Sequence, residues 1–113
     1  MPAMAISDHG NMFGVFEFVA EAHKNRDANG KLKVKPIVGC EFYLTENRHQ
    51  KTFTKEQRDK RMHQILLAKN EEGYRNLIKL TSLGFVEGMY GKYPRIDKEL
   101  IQKYHQGLIA TTC

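Results

Sequence analysis

Residues 5–18, with the sequence AISDHGNMFGVFEF, join a short apolar run to an aromatic segment through Gly10. The apolar run is typical of a buried strand, and the carboxylate of Asp8 and the imidazole of His9 stand at its end. Beyond the turn, apolar residues recur every three or four positions, which predicts an amphipathic helix with Asn11 as its N-cap. This strand–turn–helix unit indicates an α/β fold.

Later segments repeat the alternation of strand and helix. The β-branched and aromatic segment 32–45 and the short apolar segment 63–70 predict strands, the second of them buried and parallel. Capped and periodic segments predict helices over 70–85 and 96–105, a loop between them and a last strand over 107–113. The order of these elements predicts a parallel α/β sheet, either open or closed into a barrel.

The length and composition are those of one ordinary globular domain. The chain has 113 residues, of which 41% are hydrophobic and 27% charged. None of its apolar runs approaches the ~20 residues that span a bilayer, and no signal peptide is expected. The two cysteines, Cys40 and Cys113, are too few for a disulfide framework, which favours a cytoplasmic protein.

Basic residues are concentrated in one polar segment. The net charge is +5, and residues 51–61 carry five basic and two acidic side chains. Such a segment is typical of a solvated helix face, and alternatively of a surface that contacts nucleic acid or phosphate. Because Phe53 is its one large apolar side chain, we expect residues 51–61 to form an exposed, mobile excursion with a short helix.

Residues that commonly bind metal ions stand near the ends of the predicted strands. Functional residues of parallel α/β folds gather where strands end, and imidazole, carboxylate and thiolate groups are ligands for Zn²⁺. The shared placement favours a metal cluster over separate structural roles. The candidates are Asp8, His9, Cys40, Glu41, His63 and Cys113.

Each candidate also has a structural explanation. Asp8 is equally well explained as the N-cap of the following helix, and Cys40 is better explained as a small core residue. Glu41 on an edge strand would simply face solvent, and His63 would close a polar loop. The remaining histidines stand in helix or loop contexts and are expected to be surface or core residues: His23, His49 and His105.

Several segments resemble one protein family, in the order in which they occur here. Residues 5–18, KPIVGCEFYLT at 35–45 and GLIATTC at 107–113 resemble the N-terminal polymerase-and-histidinol-phosphatase (PHP) domain of the bacterial DNA polymerase III alpha-subunit family. The combination of LLAKNEEGY at 66–74 with PRIDKELI at 94–101 is the most specific part. The resemblance implies that residues 1–113 are a partial PHP domain, a fragment of a distorted (β/α)7 barrel with parallel strands. The basic segment, taken as residues 46–61, is longer than is usual in the family and is expected to be a lineage-specific insert.

Carried over residue by residue, the resemblance implies that His9, Glu41 and His63 are metal ligands. It also implies that Asp8 supports these ligands as a carboxylate partner without binding the metal itself. Cys113 falls on a glycine of the family, one position before the family's cysteine ligand, and receives no firm assignment. The implied metals are Zn²⁺ or Mn²⁺ here and Mg²⁺ in the parent's polymerase site. The family's His-x-His and Asp-x-His strands do not appear in this sequence. We therefore expect the chain to be a catalytically silent piece that holds any metal loosely and whose open strand edges either self-associate or become locally disordered.

The resemblance also implies a function for the parent protein, which is DNA-directed DNA synthesis by a nucleotidyltransferase. The PHP region would act as a metal-dependent 3′–5′ exonuclease or as a structural platform. Implied partners are DNA, deoxynucleoside triphosphates and replisome subunits including the proofreading exonuclease and the sliding clamp, with no membrane. The alternatives are a stand-alone phosphoesterase similar to histidinol phosphatases, and a scaffold whose metal site has decayed. Residues 66–74 and 94–100 favour the polymerase, because a small phosphatase has no need of them.

Overall fold

A computed structural model describes residues 1–112 of the chain. Strands and helices alternate in its first part, as the sequence predicts. The elements are β1 (Ala3–His9), α1 (Val15–Lys24), β2 (Lys35–Leu44), β3 (Met62–Ala68), α2 (Glu71–Glu87), β4 (Met89–Tyr90), β5 (Tyr93–Ile96), α3 (Lys98–Lys103) and β6 (Leu108–Ala110).

The strands form one mixed sheet around β2. One edge of β2 pairs in parallel with β1 along most of its length and with β5 at Tyr43 and Leu44. The other edge pairs with β3 in the antiparallel direction, and β6 is antiparallel to β3. The expectation of parallel strands is therefore correct for β1, β2 and β5 and wrong for β3 and β6. Among the described residues the sheet is open, so a closed barrel stays a prediction.

The connection between β2 and β3 explains the wrong direction. A parallel connection must cross the sheet, usually through a helix, whereas an antiparallel connection only has to turn back. Residues 45–61 contain no helix, and they return the chain to the end of the sheet where β2 stopped, with Leu44 paired to Met62. The predicted short helix in 51–61 is therefore wrong.

Alternation along β2 separates a core face from an open face. Cys40 and Phe42 are 0% and 1% exposed and pack against the helices, whereas Glu41 and Tyr43 point to the other face. Fully burying a leucine-sized side chain contributes roughly 1.5–3 kcal/mol, so this one-sided core fixes the register of the sheet. The core cluster consists of Cys40, Phe42, Leu66, Leu77, Leu80, Ile96 and Leu100.

The start of α1 and the end of α2 differ from the sequence-based expectation, and α3 is shorter than the predicted 96–105. The N-cap of α1 is Gly14 rather than Asn11, because the carboxylate of Asp8 accepts the Gly14 N–H at 2.9 Å while the Asn11 side chain accepts the N–H of Phe13. Asn70 caps α2 as expected, accepting from Gly73 N at 2.9 Å. The helix then continues beyond Gly84, and the predicted loop contains the β4–β5 hairpin.

The segment before β3, residues 45–61, is attached to the rest of the domain by polar contacts, which could not be predicted from its amino-acid composition. We call these contacts the arginine network: Arg48, Arg95 and the carboxylates of Asp59, Glu87 and Asp97. Arg48 binds Asp97 at 2.9 Å and Glu87 at 2.7 Å, and Arg95 binds Asp59 at 3.0 Å. Arg95 also donates to the carbonyls of Arg48 and Gln50, at 3.0 and 2.8 Å. Most of residues 51–61 is exposed, as expected, but these polar contacts attach the segment to the domain. The status of 46–61 as an insert stays a prediction.

Other contacts attach the same segment to the end of α2. Lys51 donates to the carbonyls of Glu87 and Met89 at 2.7 and 2.9 Å, and the ring of Phe53 lies 4.7 Å from that of Tyr90. At Glu87, the last residue of α2, the lysine satisfies a carbonyl that the helix itself leaves free. Within residues 1–112, no helix combines the length and the apolar character needed to cross a membrane.

Candidate metal centre

Three strands bring three predicted ligands together on the open face of the sheet. His9, the last residue of β1, is the register partner of Glu41 on β2. On the other side of β2, His63 is the partner of Tyr43, which lies two residues after Glu41 and therefore on the same face. A diagonal neighbour at this offset is within reach of a long side chain. The sheet register therefore places both imidazoles beside one carboxylate.

The ligand atoms of these residues form a compact group, which we call the metal centre (His9, Glu41 and His63). One potential ligand atom from each residue lies within 4.8 Å of the other two. Glu41 Oε1 is 3.2 Å from His9 Nδ1 and also contacts His63 Nδ1. The imidazole rings meet edge to face, with their centroids 6.2 Å apart. The carboxylate side chain is 18% exposed, whereas those of His9 and His63 are 67% and 50% exposed.

The antiparallel direction of β3 is necessary for this arrangement. His63 stands near the beginning of β3, while His9 stands at the end of β1. If β3 ran parallel to β1 and β2, its beginning would lie at the opposite end of the strands from the end of β1, and His63 would be far from His9. The convergence of the two histidines was predicted from strand ends, but the reversed strand is what produces it.

The two residues that flank His9 in the sequence SDHG have different structural roles. Asp8 is the register partner of Cys40 and so lies on the core face, where its carboxylate holds Gly14 and the start of α1. Gly10 adopts a φ of +69°, and its N–H donates to Glu41 O at 2.7 Å. A Cβ atom there would lie 2.9 Å from Pro94 Cγ. The turn that directs His9 to Glu41 therefore requires glycine.

The remaining sequence candidates lie elsewhere or outside the described residues. Cys40 is fully buried in the core, and its Sγ donates weakly to Asp8 O at 3.6 Å. Burial, reinforced by the Asp8 carboxylate, raises the pKa of the Cys40 thiol to about 12, so the thiol stays protonated at neutral pH. Cys113 lies outside the described residues. The histidines left as surface or core residues are not members of the metal-binding group found among residues 1–112: His23, His49 and His105.

Sequence reasoning missed the aromatic and basic residues next to the metal centre. The Tyr43 ring lies 5.3 Å from that of His63 and 5.2 Å from that of Tyr93, and the Arg61 guanidinium lies 3.7 Å above Tyr93. Tyr43 could have been found, because period-two alternation puts it on the same face as Glu41. Arg61 and Tyr93 are far apart in sequence, and no local pattern joins them.

The donor set suits a divalent metal ion. Two imidazole nitrogens and one carboxylate oxygen are ligands that Zn²⁺ and other first-row divalent ions accept, and three protein ligands leave a position open. Both histidines are exposed, so a substrate could approach from the open face. Glu41 is more buried than either histidine, and its carboxylate contacts both imidazoles.

Comparison with known proteins identifies related sequences along the whole chain. The family model described as "PHP domain" matches residues 1–113. A protein of Chlamydia pneumoniae named "DNA polymerase III subunit alpha" is 46% identical over 111 residues, covering 96% of this chain and 8% of that protein. Proteins with the same name from Borreliella burgdorferi and Aquifex aeolicus are 45% and 46% identical over 115 residues, covering 99% and 97% of this chain and 9% of each protein. The chain thus spans under a tenth of the length of these relatives.

Proposed function

This chain belongs to the PHP domain family, and from that membership we propose that it is part of a bacterial DNA polymerase III alpha subunit whose PHP region holds a divalent metal ion. The observation that carries the proposal is the convergence of His9, Glu41 and His63, with ligand atoms within 4.8 Å. The similarity of nearly the whole chain to proteins named as alpha subunits supports the parent's identity.

We propose Zn²⁺ or Mn²⁺ as the ion and phosphodiester hydrolysis, in the 3′–5′ direction, as the chemistry of the region. A bound divalent ion lowers the pKa of water and stabilises negative charge on a phosphoryl oxygen. His9 and His63 would bind the ion from two strands, and Glu41 would bind between them. Gly10 and the β1–β2 register would hold His9 in place. A purely structural platform is the alternative role, and it would not require exposed imidazoles.

The activity of the parent protein follows from its relatives' name and is also proposed. The parent would copy DNA from deoxynucleoside triphosphates at Mg²⁺ ions held outside these residues, in the cytoplasm. Its partners would include the proofreading exonuclease and the sliding clamp. A stand-alone phosphoesterase is less well supported, because relatives that align with 96% and 99% of this chain are named as alpha subunits.

Metal binding by the purified chain tests the proposal directly. Titration with Zn²⁺ or Mn²⁺, followed by calorimetry, should show binding that weakens at least about tenfold in His63→Ala and Glu41→Gln. His49→Ala is a matched control, because His49 is also an exposed imidazole but lies outside the metal centre. Equal affinities in the chain, both centre variants and the control would contradict the proposed metal site.

A further inference from the structure

A groove of about 880 Å³ opens beside the metal centre and has His63 in its wall. Three parts of the chain form it: the end of the segment before β3, the β2–β3 pair and the turn between β4 and β5. The side chains that give it its character are four cations and two aromatic rings: Arg58, Lys60, Arg61, Lys92, Tyr43 and Tyr93.

The positive charge of this groove is not cancelled from within. Its acidic residue, Asp59, is 5% exposed, and one of its oxygens accepts from the fully buried Arg95 at 3.0 Å. The other oxygen pairs with Arg61. Because Arg95 already neutralises this carboxylate from the core side, Arg58, Lys60 and Lys92 remain as exposed cations without a compensating acid in the wall.

An aromatic path connects these cations to the metal centre. The ring of His63 lies 5.3 Å from Tyr43, and Tyr43 lies 5.2 Å from Tyr93. Arg61 covers Tyr93 at 3.7 Å, and Lys92 Nζ lies 5.5 Å from the same ring. A positively charged groove interleaved with aromatic rings is the combination that binds single-stranded nucleic acid, because phosphates meet cations and unpaired bases meet π-faces.

We infer that this groove binds the backbone of single-stranded DNA and leads its end to His9, Glu41 and His63. The part of the inference that places the end of the DNA strand at the metal centre rests on the proposed function. The backbone contact itself depends on charge and needs no metal. A duplex hides its base faces, so the rings of Tyr43 and Tyr93 would contribute only to binding of a single strand.

Anisotropy titration of a fluorescent oligothymidylate with the 113-residue chain tests the inference, with EDTA present and over a range of salt concentrations. The double variant Lys60→Ala/Lys92→Ala removes two exposed groove cations. The control, Lys33→Ala/Lys35→Ala, removes two exposed lysines at the opposite end of β2. Circular dichroism checks that both variants remain folded. For each groove lysine removed, the slope of log affinity against log salt should become shallower by about 0.7, whereas the control should keep the slope of the original chain.

Equal loss of slope in the two double variants would overturn the inference, since it would show that general surface charge binds the strand. Binding of a duplex of the same length with equal affinity would also overturn it. Because EDTA removes any metal, these outcomes are separate from those of the metal titration. A groove effect without metal binding would leave the groove assignment standing and refute the proposed metal site, and metal binding without a groove effect would do the reverse.

Discussion

The metal centre and the arginine network are both clusters of ionisable side chains near the same end of β2, and they differ in burial and in their partners. Arg48 and Arg95 are 6% and 0% exposed at their side chains, and their donors are directed to carboxylates and carbonyls of the protein. In the metal centre the imidazoles of His9 and His63 are at least half exposed, around a partly buried Glu41. Among the described residues, no buried side-chain nitrogen or oxygen lacks a partner.

This difference indicates two separate roles for charge in one small domain. A buried ion is costly unless hydrogen bonds satisfy it, so breaking the arginine network should affect folding. Pairs with exposed partners contribute little to stability, and water solvates the imidazoles of His9 and His63 in the unfolded and the folded chain alike. The metal centre is therefore available for binding. Three substitutions of charged residues distinguish the two roles, and a fourth tests the turn that positions His9.

The largest loss of stability is expected from Arg95→Ala. The substitution leaves Asp59 without its buried cation and removes one side-chain donor from each of the carbonyls of Arg48, Gln50 and Gly88. Breaking a buried pair by removing one partner costs about 3–5 kcal/mol, and urea unfolding measures the free energy. Arg75→Ala is the control, since Arg75 makes an exposed pair with Glu71 worth about 0–1 kcal/mol. Similar losses in both variants would show that Arg95 is not a structural anchor.

A smaller and pH-dependent loss is expected from Asp97→Asn. Burial alone would raise the pKa of Asp97, but hydrogen bonds from the N–H groups of Arg48 and Leu100 and from the Arg48 guanidinium hold that pKa below its usual value. Hydrogen bonds to charged groups contribute about 1.5–3 kcal/mol, which is the loss expected at neutral pH.

The sign of the pH effect follows from the lowered pKa of Asp97. Its stabilising contribution is complete above the unfolded-state pKa of about 3.9 and disappears as the pH falls through the lower folded-state pKa. Urea unfolding from neutral to acidic pH should therefore show the original chain and Asp97→Asn converging below about pH 4. A difference between them that stays constant over this range would contradict the assignment of the stabilisation to the ionised carboxylate.

Gly10→Ala should cost about 1–2 kcal/mol for the left-handed backbone alone. At this position the new Cβ would also meet Pro94 and Tyr43, at 2.9 and 3.0 Å. Gly30→Ala is a matched control, because Gly30 has a φ of +80° and a Cβ atom added there would meet nothing within 4 Å. Thermal unfolding should show a larger loss of stability for Gly10→Ala than for Gly30→Ala. Equal losses would show that the short distances to Pro94 and Tyr43 do not constrain residue 10.

The smallest effect on stability is expected from Glu41→Gln. Glutamine keeps a polar side chain of the same size beside two exposed imidazoles, so the free energy of unfolding should change by no more than about 0.5 kcal/mol. The metal affinity, in contrast, should fall at least about tenfold. Unfolding and metal titration of the same variant therefore separate binding from folding. A loss of stability like that of Arg95→Ala, without a change in metal affinity, would reverse the roles assigned to the two clusters.

Local sequence patterns predicted the strands and the main helices more successfully than strand direction. The choice of His9, Glu41 and His63 as metal ligands came from the family resemblance, and their metal binding stays a prediction. The apolar run of β1, the period of α1 and the Asn70 cap of α2 are encoded within a few residues, so they could be read directly. The direction of β3 depends on whether residues 45–61 turn back or cross the sheet, and this depends on contacts with distant residues. The attachment of that segment by Arg95 could not be predicted, because its partners lie about 36–47 residues away along the chain.

The sequence by itself determined which residues are available for chemistry and which segments become strands and helices, because periodicity, caps and turn glycines act over short distances. It also determined that Glu41 and Tyr43 share one face of β2, since side chains alternate along any strand. Only the tertiary structure decided that β3 runs antiparallel, that His63 therefore reaches Glu41, and that Arg61 stacks on Tyr93. These outcomes depend on long-range pairing and burial, in which each residue's position is set by partners that no local pattern specifies.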